Sequence, residues 1–199
     1  MNLEAKDIQN WLNEFTEKID ENKAYLSDLD TPIGDGDHGN NMARGMKAYQ
    51  EDIEKKKPET ITDTFRVISM ALISKVGGAS GPLYGSAFMS MTKATKDVEV
   101  ITSSKQLGEI ITEGLKGIQA RGKAELGDKT MVDVWLPVAS ALMTDTLTKQ
   151  VVEDAKSSTK DMVAKKGRAS YLGERAIGHI DPGAASSALL FDALINQFN

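Results

Sequence analysis

Hydrophobic positions recur at spacings of three and four along almost the whole chain, the pattern of an amphipathic helix. Ile8, Trp11, Leu12, Phe15 and Ile19 form a first stripe. Met42, Met46, Tyr49 and Ile53 form a second, starting from about Asn40 and ending in a run of lysines before Pro58. Ile61, Phe65, Ile68, Leu72 and Val76 give a third, and Leu83, Ala87, Met91 and Ala94 a fourth. The fifth runs Leu107, Ile110, Ile111, Leu115 and Ile118; the sixth Met131, Val134, Trp135, Val138 and Leu142. Positions 151–166 read as a more polar seventh helix, and Ala184, Ala188, Phe191, Leu194 and Ile195 as an eighth. One β-branched run, 98–102, stands alone. The pattern predicts an all-α domain over 1–199, of about eight amphipathic helices and without internal repeats.

The connections carry more information than the helices. Short connections favour antiparallel neighbours, so alternate loops share one end of such a bundle. The connections after the second, fourth and sixth helices are ordinary polar breaks. Those after the first, third, fifth and seventh are rich in glycine, acid and base: Asp30-Thr-Pro-Ile-Gly-Asp-Gly-Asp-His38, Gly77-Gly-Ala-Ser-Gly-Pro82, the segment 121–130, and the segment 167–183. All four would lie at one end and form one composite site.

Composition narrows the class. A chain of 199 residues without cysteine is large enough to fold without staples and offers no disulfide, zinc–thiolate site or thiol nucleophile. No apolar run approaches the ~20 residues needed to span a bilayer, and the charged start lacks an apolar signal core. Both point to a cytoplasmic protein. The net charge of −5 and the 6% aromatic content argue against a nucleic-acid partner.

Asp30, Asp35 and Asp37 crowd into one loop with His38 as the nearby counter-charge. Such carboxylates repel unless protonated or neutralised by a cation. Their hard oxygens suit Mg2+ or Ca2+. An EF-hand fails, because the acid required at its last position is Met46 counting from Asp35 and Asn41 counting from Asp30. The plain alternative is an Asp-rich turn capping a helix. The loop stands just before a helix start, where backbone N–H groups take anions, so a cation with bound phosphate fits it.

Other motifs separate less cleanly from structural roles. Gly34 to Gly39 satisfies G-x-G-x-x-G, but with no strand before it the match is accidental. Residues 122–130 miss a P-loop by the inserted Asp128, which would point an anion at the phosphates. Thr130 with Asp133 forms a capping box for the sixth helix. In 77–82, glycine would end one helix and Ser80 cap the next, or the glycines would admit a ligand. Asp181, Pro182 and Gly183 read as a cap and first turn. Arg168 is the candidate phosphate fork, whereas Lys165, Lys166 and Arg175 read as solvated. His179 is as consistent with packing as with function. No residue stands out as a nucleophile or general base.

Together, the four loops resemble those of the nucleotide-binding L subunits of bacterial dihydroxyacetone kinases, along nearly the whole chain. The likeness rests on Ile33-Gly-Asp-Gly-Asp-His-Gly39, Val76-Gly-Gly-Ala-Ser-Gly-Pro82, Arg121-Gly-Lys-Ala-Glu-Leu-Gly-Asp-Lys-Thr-Met131 and Gly167-Arg-Ala-Ser-Tyr-Leu-Gly-Glu-Arg175 with Gly178-His-Ile-Asp-Pro-Gly183. It implies an antiparallel helical barrel holding ADP or ATP and two Mg2+ ions at one end. On that resemblance Asp30, Asp35 and Asp37 hold the metal. His38, Gly39, Asn40, Asn41, Ala79, Ser80, Gly122, Thr130, Met131, Arg168, Asp181, Pro182 and Gly183 bind the nucleotide.

The resemblance also implies partners. A chain holding only this domain is similar to the freestanding subunit of the phosphoenolpyruvate-dependent phosphotransferase system, in glycerol metabolism. There a phosphohistidine subunit (M) phosphorylates bound ADP, and the ATP formed phosphorylates dihydroxyacetone on a K subunit. The alternatives are an ATP-using subunit for another acceptor, a regulator that senses ADP or ATP, and a helical scaffold with an incidental metal site.

Overall fold

The computed structural model describes residues 1–198. Eight α-helices follow one another: α1 (Ala5–Asp30), α2 (His38–Lys56), α3 (Ile61–Lys75), α4 (Ser80–Ala94), α5 (Ser104–Gly122), α6 (Val132–Met143), α7 (Lys149–Ser158) and α8 (Pro182–Ile195). Each helix packs on the next, and α8 returns against α1. The stripes read from the sequence face inward: Trp11, Phe15, Met46, Phe65, Phe88, Ile111, Trp135 and Phe191 lose essentially all solvent contact in one continuous core. Trp135 meets Phe191 edge-on at 5.0 Å, and the Trp11 indole N–H donates to the Leu190 carbonyl at 2.7 Å. The first contact ties α6 to α8, and the second closes the α8–α1 seam.

Helix starts follow capping chemistry. Thr60, Ser103, Thr148 and Asp181 each accept a backbone N–H of the first turn, satisfying donors that a helix leaves free. The lone β-branched run makes a single antiparallel bridge, Ile101 with Leu3, two hydrogen bonds of 2.9 Å.

Helix α7 is shorter than its apolar pattern. It stops at Ser158 and passes through a 3-10 turn, Thr159–Asp161, leaving Met162 and Val163 outside any helix. Tertiary bonds claim the backbone there. The Thr159 carbonyl accepts Lys129 Nζ at 2.5 Å and its hydroxyl accepts the Asp181 N–H at 3.0 Å. A second 3-10 segment, Arg168–Ala176, precedes α8. Its Ala169 and Ala176 bury against Ile33 in a small separate cluster, which anchors the fourth unusual loop onto the first.

Candidate functional site

The loops after α1, α3, α5 and α7 converge on a cavity of about 500 Å3, within the range of small-molecule sites. Since each of these loops leads into an even-numbered helix, α2, α4, α6 and α8 all begin at the cavity, with His38, Ser80, Met131 and Pro182 among its lining. Four helix N-termini, each the positive end of a helix dipole, are thereby gathered in one place.

In the first loop the chain folds back over Asp30. Only glycine fits at position 34, where a Cβ would overlap the Asp30 carboxylate. Asp30 Oδ2 accepts the N–H groups of Asp37 at 3.0 Å and His38 at 3.3 Å. One oxygen each from Asp30, Asp35 and Asp37 lie within 4.8 Å of one another, a hard-donor set that fits a divalent cation. Their titration is divided. Burial, with repulsion from Asp35, pushes Asp30 up; hydrogen bonding to Asp37 and Asp30 and the charge of Arg168 hold Asp35 down.

His38 does not supply the expected counter-charge. It is buried, Nδ1 bonded to Ser80 Oγ at 3.0 Å and Nε2 to Ser186 Oγ at 2.9 Å. Burial pulls its pKa down to about 4, so the ring is neutral at pH 7. The counter-charge comes from Arg168, whose guanidinium pairs with Asp35 across the mouth.

Ser80 is not the cap of α4. Ala79 precedes the helix, and the Ser80 hydroxyl is committed to His38. The capping box of α6 is half formed: the Asp133 carboxylate accepts the Thr130 N–H at 2.8 Å and the Gly127 N–H at 2.5 Å, while Thr130 Oγ1 accepts from Val132 at 3.1 Å. Asp128 turns away from the cavity, accepting the Glu125 N–H at 2.9 Å and lying 3.7 Å from Lys165 Nζ. Asp181 caps α8 through the Ala184 N–H at 2.8 Å. Burial pushes its pKa up to about 7, against that bond and the charge of Lys129.

The cavity lining includes every residue singled out from the sequence except Gly39 and Asn40. Asn40 is exposed. Gly39 is a packing residue: a Cβ there would strike the Lys23 backbone, and its N–H donates to Ser27 Oγ at 3.1 Å. Lys166, read as solvated, is exposed but stands on the rim. Arg175 is exposed, and His179 contributes its carbonyl, which accepts Lys129 Nζ at 2.5 Å. Lys129, Leu83 and Ile118 line the cavity without having been singled out. The two apolar ones sit on core stripes, and periodicity does not distinguish a core-facing position from a cavity-facing one. Lys129 lay in plain view inside the third loop.

Fold and site together define an all-helical protein with a loop-built cavity suited to a cation and an anion side by side. Residues 32–196 match the DAK2 domain family, and the chain belongs to it. It is 57% identical over 185 residues to the Listeria innocua protein "PEP-dependent dihydroxyacetone kinase 1, ADP-binding subunit DhaL", covering 93% of this chain and 92% of that one. It is 53% identical to the Lactococcus lactis protein "PTS-dependent dihydroxyacetone kinase, ADP-binding subunit DhaL", covering 93% of each. Among solved structures it is similar to the native dihydroxyacetone kinase of C. freundii, with a TM-score of 0.75, 23% identity and 95% of this chain covered. The same enzyme has been crystallised with AMP-PNP and Mg2+, and the TM-score to that form is 0.71. The chain spans 34% of the native enzyme's chain, so that likeness speaks for the fold. Among the described residues no helix is long and apolar enough to cross a membrane.

Proposed function

We propose that this protein is the ADP-binding subunit of a phosphoenolpyruvate-dependent dihydroxyacetone kinase. The observation that carries the reading is the cavity itself, which joins a carboxylate triad, four helix N-termini and a guanidinium in one place. The names of relatives 57% and 53% identical across almost their whole length agree with it. A bound nucleotide would supply a phosphoryl relay, taking the group from a phosphohistidine subunit (M) and passing it to dihydroxyacetone on a K subunit. Asp30, Asp35 and Asp37 would hold the two Mg2+ ions, whose charge would offset that of the polyphosphate. The start of α4, with Ser80 and Asn41, would orient phosphate oxygens, and Arg168 at the mouth would offer them a bidentate fork. The apolar wall of Leu83, Ile118 and Met131 excludes water from the base. Phosphoryl transfer of this kind needs positioning and charge neutralisation rather than a protein nucleophile. The subunit works in the cytoplasm.

The test is to denature freshly purified protein and identify what it releases. The reading requires about one ADP and about two Mg2+ per chain. Protein that carries no nucleotide, and binds neither ADP nor ATP on titration with Mg2+, sinks it.

A further inference from the structure

A continuous line of hydrogen bonds runs from the cavity into the core. Trp135 Nε1 donates to Ser187 Oγ at 3.1 Å; Ser187 Oγ meets the Tyr84 hydroxyl at 2.9 Å, and that hydroxyl meets Ser186 Oγ at 2.7 Å. Ser186 Oγ continues to His38 Nε2 at 2.9 Å, and His38 Nδ1 reaches Ser80 Oγ at 3.0 Å. Tyr84, Trp135, Ser186 and Ser187 are wholly buried, and the line reaches the cavity lining at His38 and Ser80. A line of buried polar groups on this scale costs stability unless every member is satisfied.

Its direction is constrained at one end. An indole N–H only donates, and each hydroxyl owns one hydrogen. Ser187 accepts from Trp135, and since Tyr84 is its one other partner among the described residues, its own hydrogen goes to Tyr84, which then donates to Ser186. Ser186 then has two outlets: His38 Nε2 at 2.9 Å, or the Gly183 carbonyl at the longer distance of 3.2 Å. In the first case the neutral ring carries its hydrogen on Nδ1 and donates to Ser80, whose hydroxyl hydrogen is free for the cavity. In the second the ring donates from Nε2 to Ser186 and Ser80 donates back to Nδ1. Ser80 would then present only lone pairs to a site that gathers anions.

We propose that Tyr84 and Ser186 are positioning residues that hold the His38 hydrogen on Nδ1, so that Ser80 donates its own hydrogen to a phosphate oxygen. This rests on reading the cavity as a nucleotide site. Tyr84 fills a lone pair of Ser186, so Ser186 has no need of the ring as a donor. Deleting the Tyr84 hydroxyl leaves Ser186 satisfied only by accepting from His38, which reverses the line. Deleting the Ser187 hydroxyl leaves Tyr84 still donating to Ser186, and the line keeps its direction.

The chain has two histidines, so 15N-histidine labelling gives a spectrum in which His179→Gln assigns the His38 signals. In the wild-type complex with ADP and Mg2+, Nδ1 is expected to carry the hydrogen and Nε2 to be bare. Tyr84→Phe should move the hydrogen to Nε2 and weaken ADP binding about tenfold, the loss of one hydrogen bond to a charged oxygen. Ser187→Ala, which orphans the Trp135 N–H and so damages the core, should leave both tautomer and affinity unchanged. Bound ADP with the hydrogen on Nε2 in the wild type overturns the inference while leaving the nucleotide reading intact, and needs no variant within the buried line. Equal losses of affinity in Tyr84→Phe and Ser187→Ala also overturn it. Wild-type protein that binds no ADP overturns the nucleotide reading and the inference with it.

Discussion

Arg168 on the fourth loop pairs with Asp35 on the first, joining distant parts of the sequence across the cavity mouth. The guanidinium side chain is 67% exposed, and exposed pairs contribute about 0–1 kcal/mol. The pair is therefore not there for stability. Arg168→Ala should leave the thermal midpoint within a degree or two of wild type while weakening ADP binding with Mg2+ about 10- to 100-fold. Arg168→Lys should recover only part of the loss, since an ammonium lacks the planar fork. Calorimetric titration of the three proteins decides; equal affinities would remove Arg168 from the site.

Asp35→Ala should abolish nucleotide retention. Its side chain is exposed, so the helical circular dichroism should be unchanged. Nucleotide that still copurifies with the variant would show that the carboxylate triad is not what holds it.

Lys129 is buried to 1% exposure, and its ammonium donates to the carbonyls of Thr159 and His179, both at 2.5 Å. It staples the third loop to the fourth. Lys129→Met keeps the apolar stem and orphans those carbonyls, which should cost about 2–4 kcal/mol in urea unfolding of ligand-free protein. A loss below about 1 kcal/mol would mean that water replaces the ammonium freely.

Asp181 gives a pH dependence with a defined sign. Its folded pKa of about 7 lies above the ordinary 3.8, chiefly through burial. The folded state therefore binds the proton more tightly, and the stability this contributes is full below pH 3.8 and lost as pH rises through about 7. Asp181→Asn keeps a capping side chain without the charge. In nucleotide- and metal-free protein it should melt higher than wild type at pH 8, with a gain of about 1–3 kcal/mol in stability, an advantage that shrinks as pH falls through about 7 and vanishes only near pH 3.8. Melting curves across that range check it; an advantage that does not change with pH would contradict the buried-charge account.

The helices were legible because amphipathic spacing survives in a protein with one core. All eight stripes are present, and the gathering of odd-numbered loops followed from counting connections. What misled was local pattern without tertiary context. Val163 extends the spacing of α7, but the Thr159 carbonyl is claimed by Lys129, and no sequence window shows that claim. His38 looked like a cation among acids; its burial against Ser186, far along the chain, makes it neutral. Ser80 had the chemistry of a cap and spends it on His38. Gly39 and Asn40 stand within the first motif but face away from the cavity, because the turn entering α2 points alternate residues toward α1 and toward solvent.

The closed end of the bundle carries a consequence of its own. Leu3 is bridged to Ile101 in the connection between α4 and α5, and Gln197 bonds Glu14 on the outer half of α1. Leu3 and Gln197 thus lie away from the cavity. Another domain can be joined to either one without obstructing the mouth, and the fold can therefore serve as a separate polypeptide or as one segment of a longer chain like the C. freundii enzyme. Covalent attachment and transient docking become interchangeable means of bringing an acceptor to the same opening.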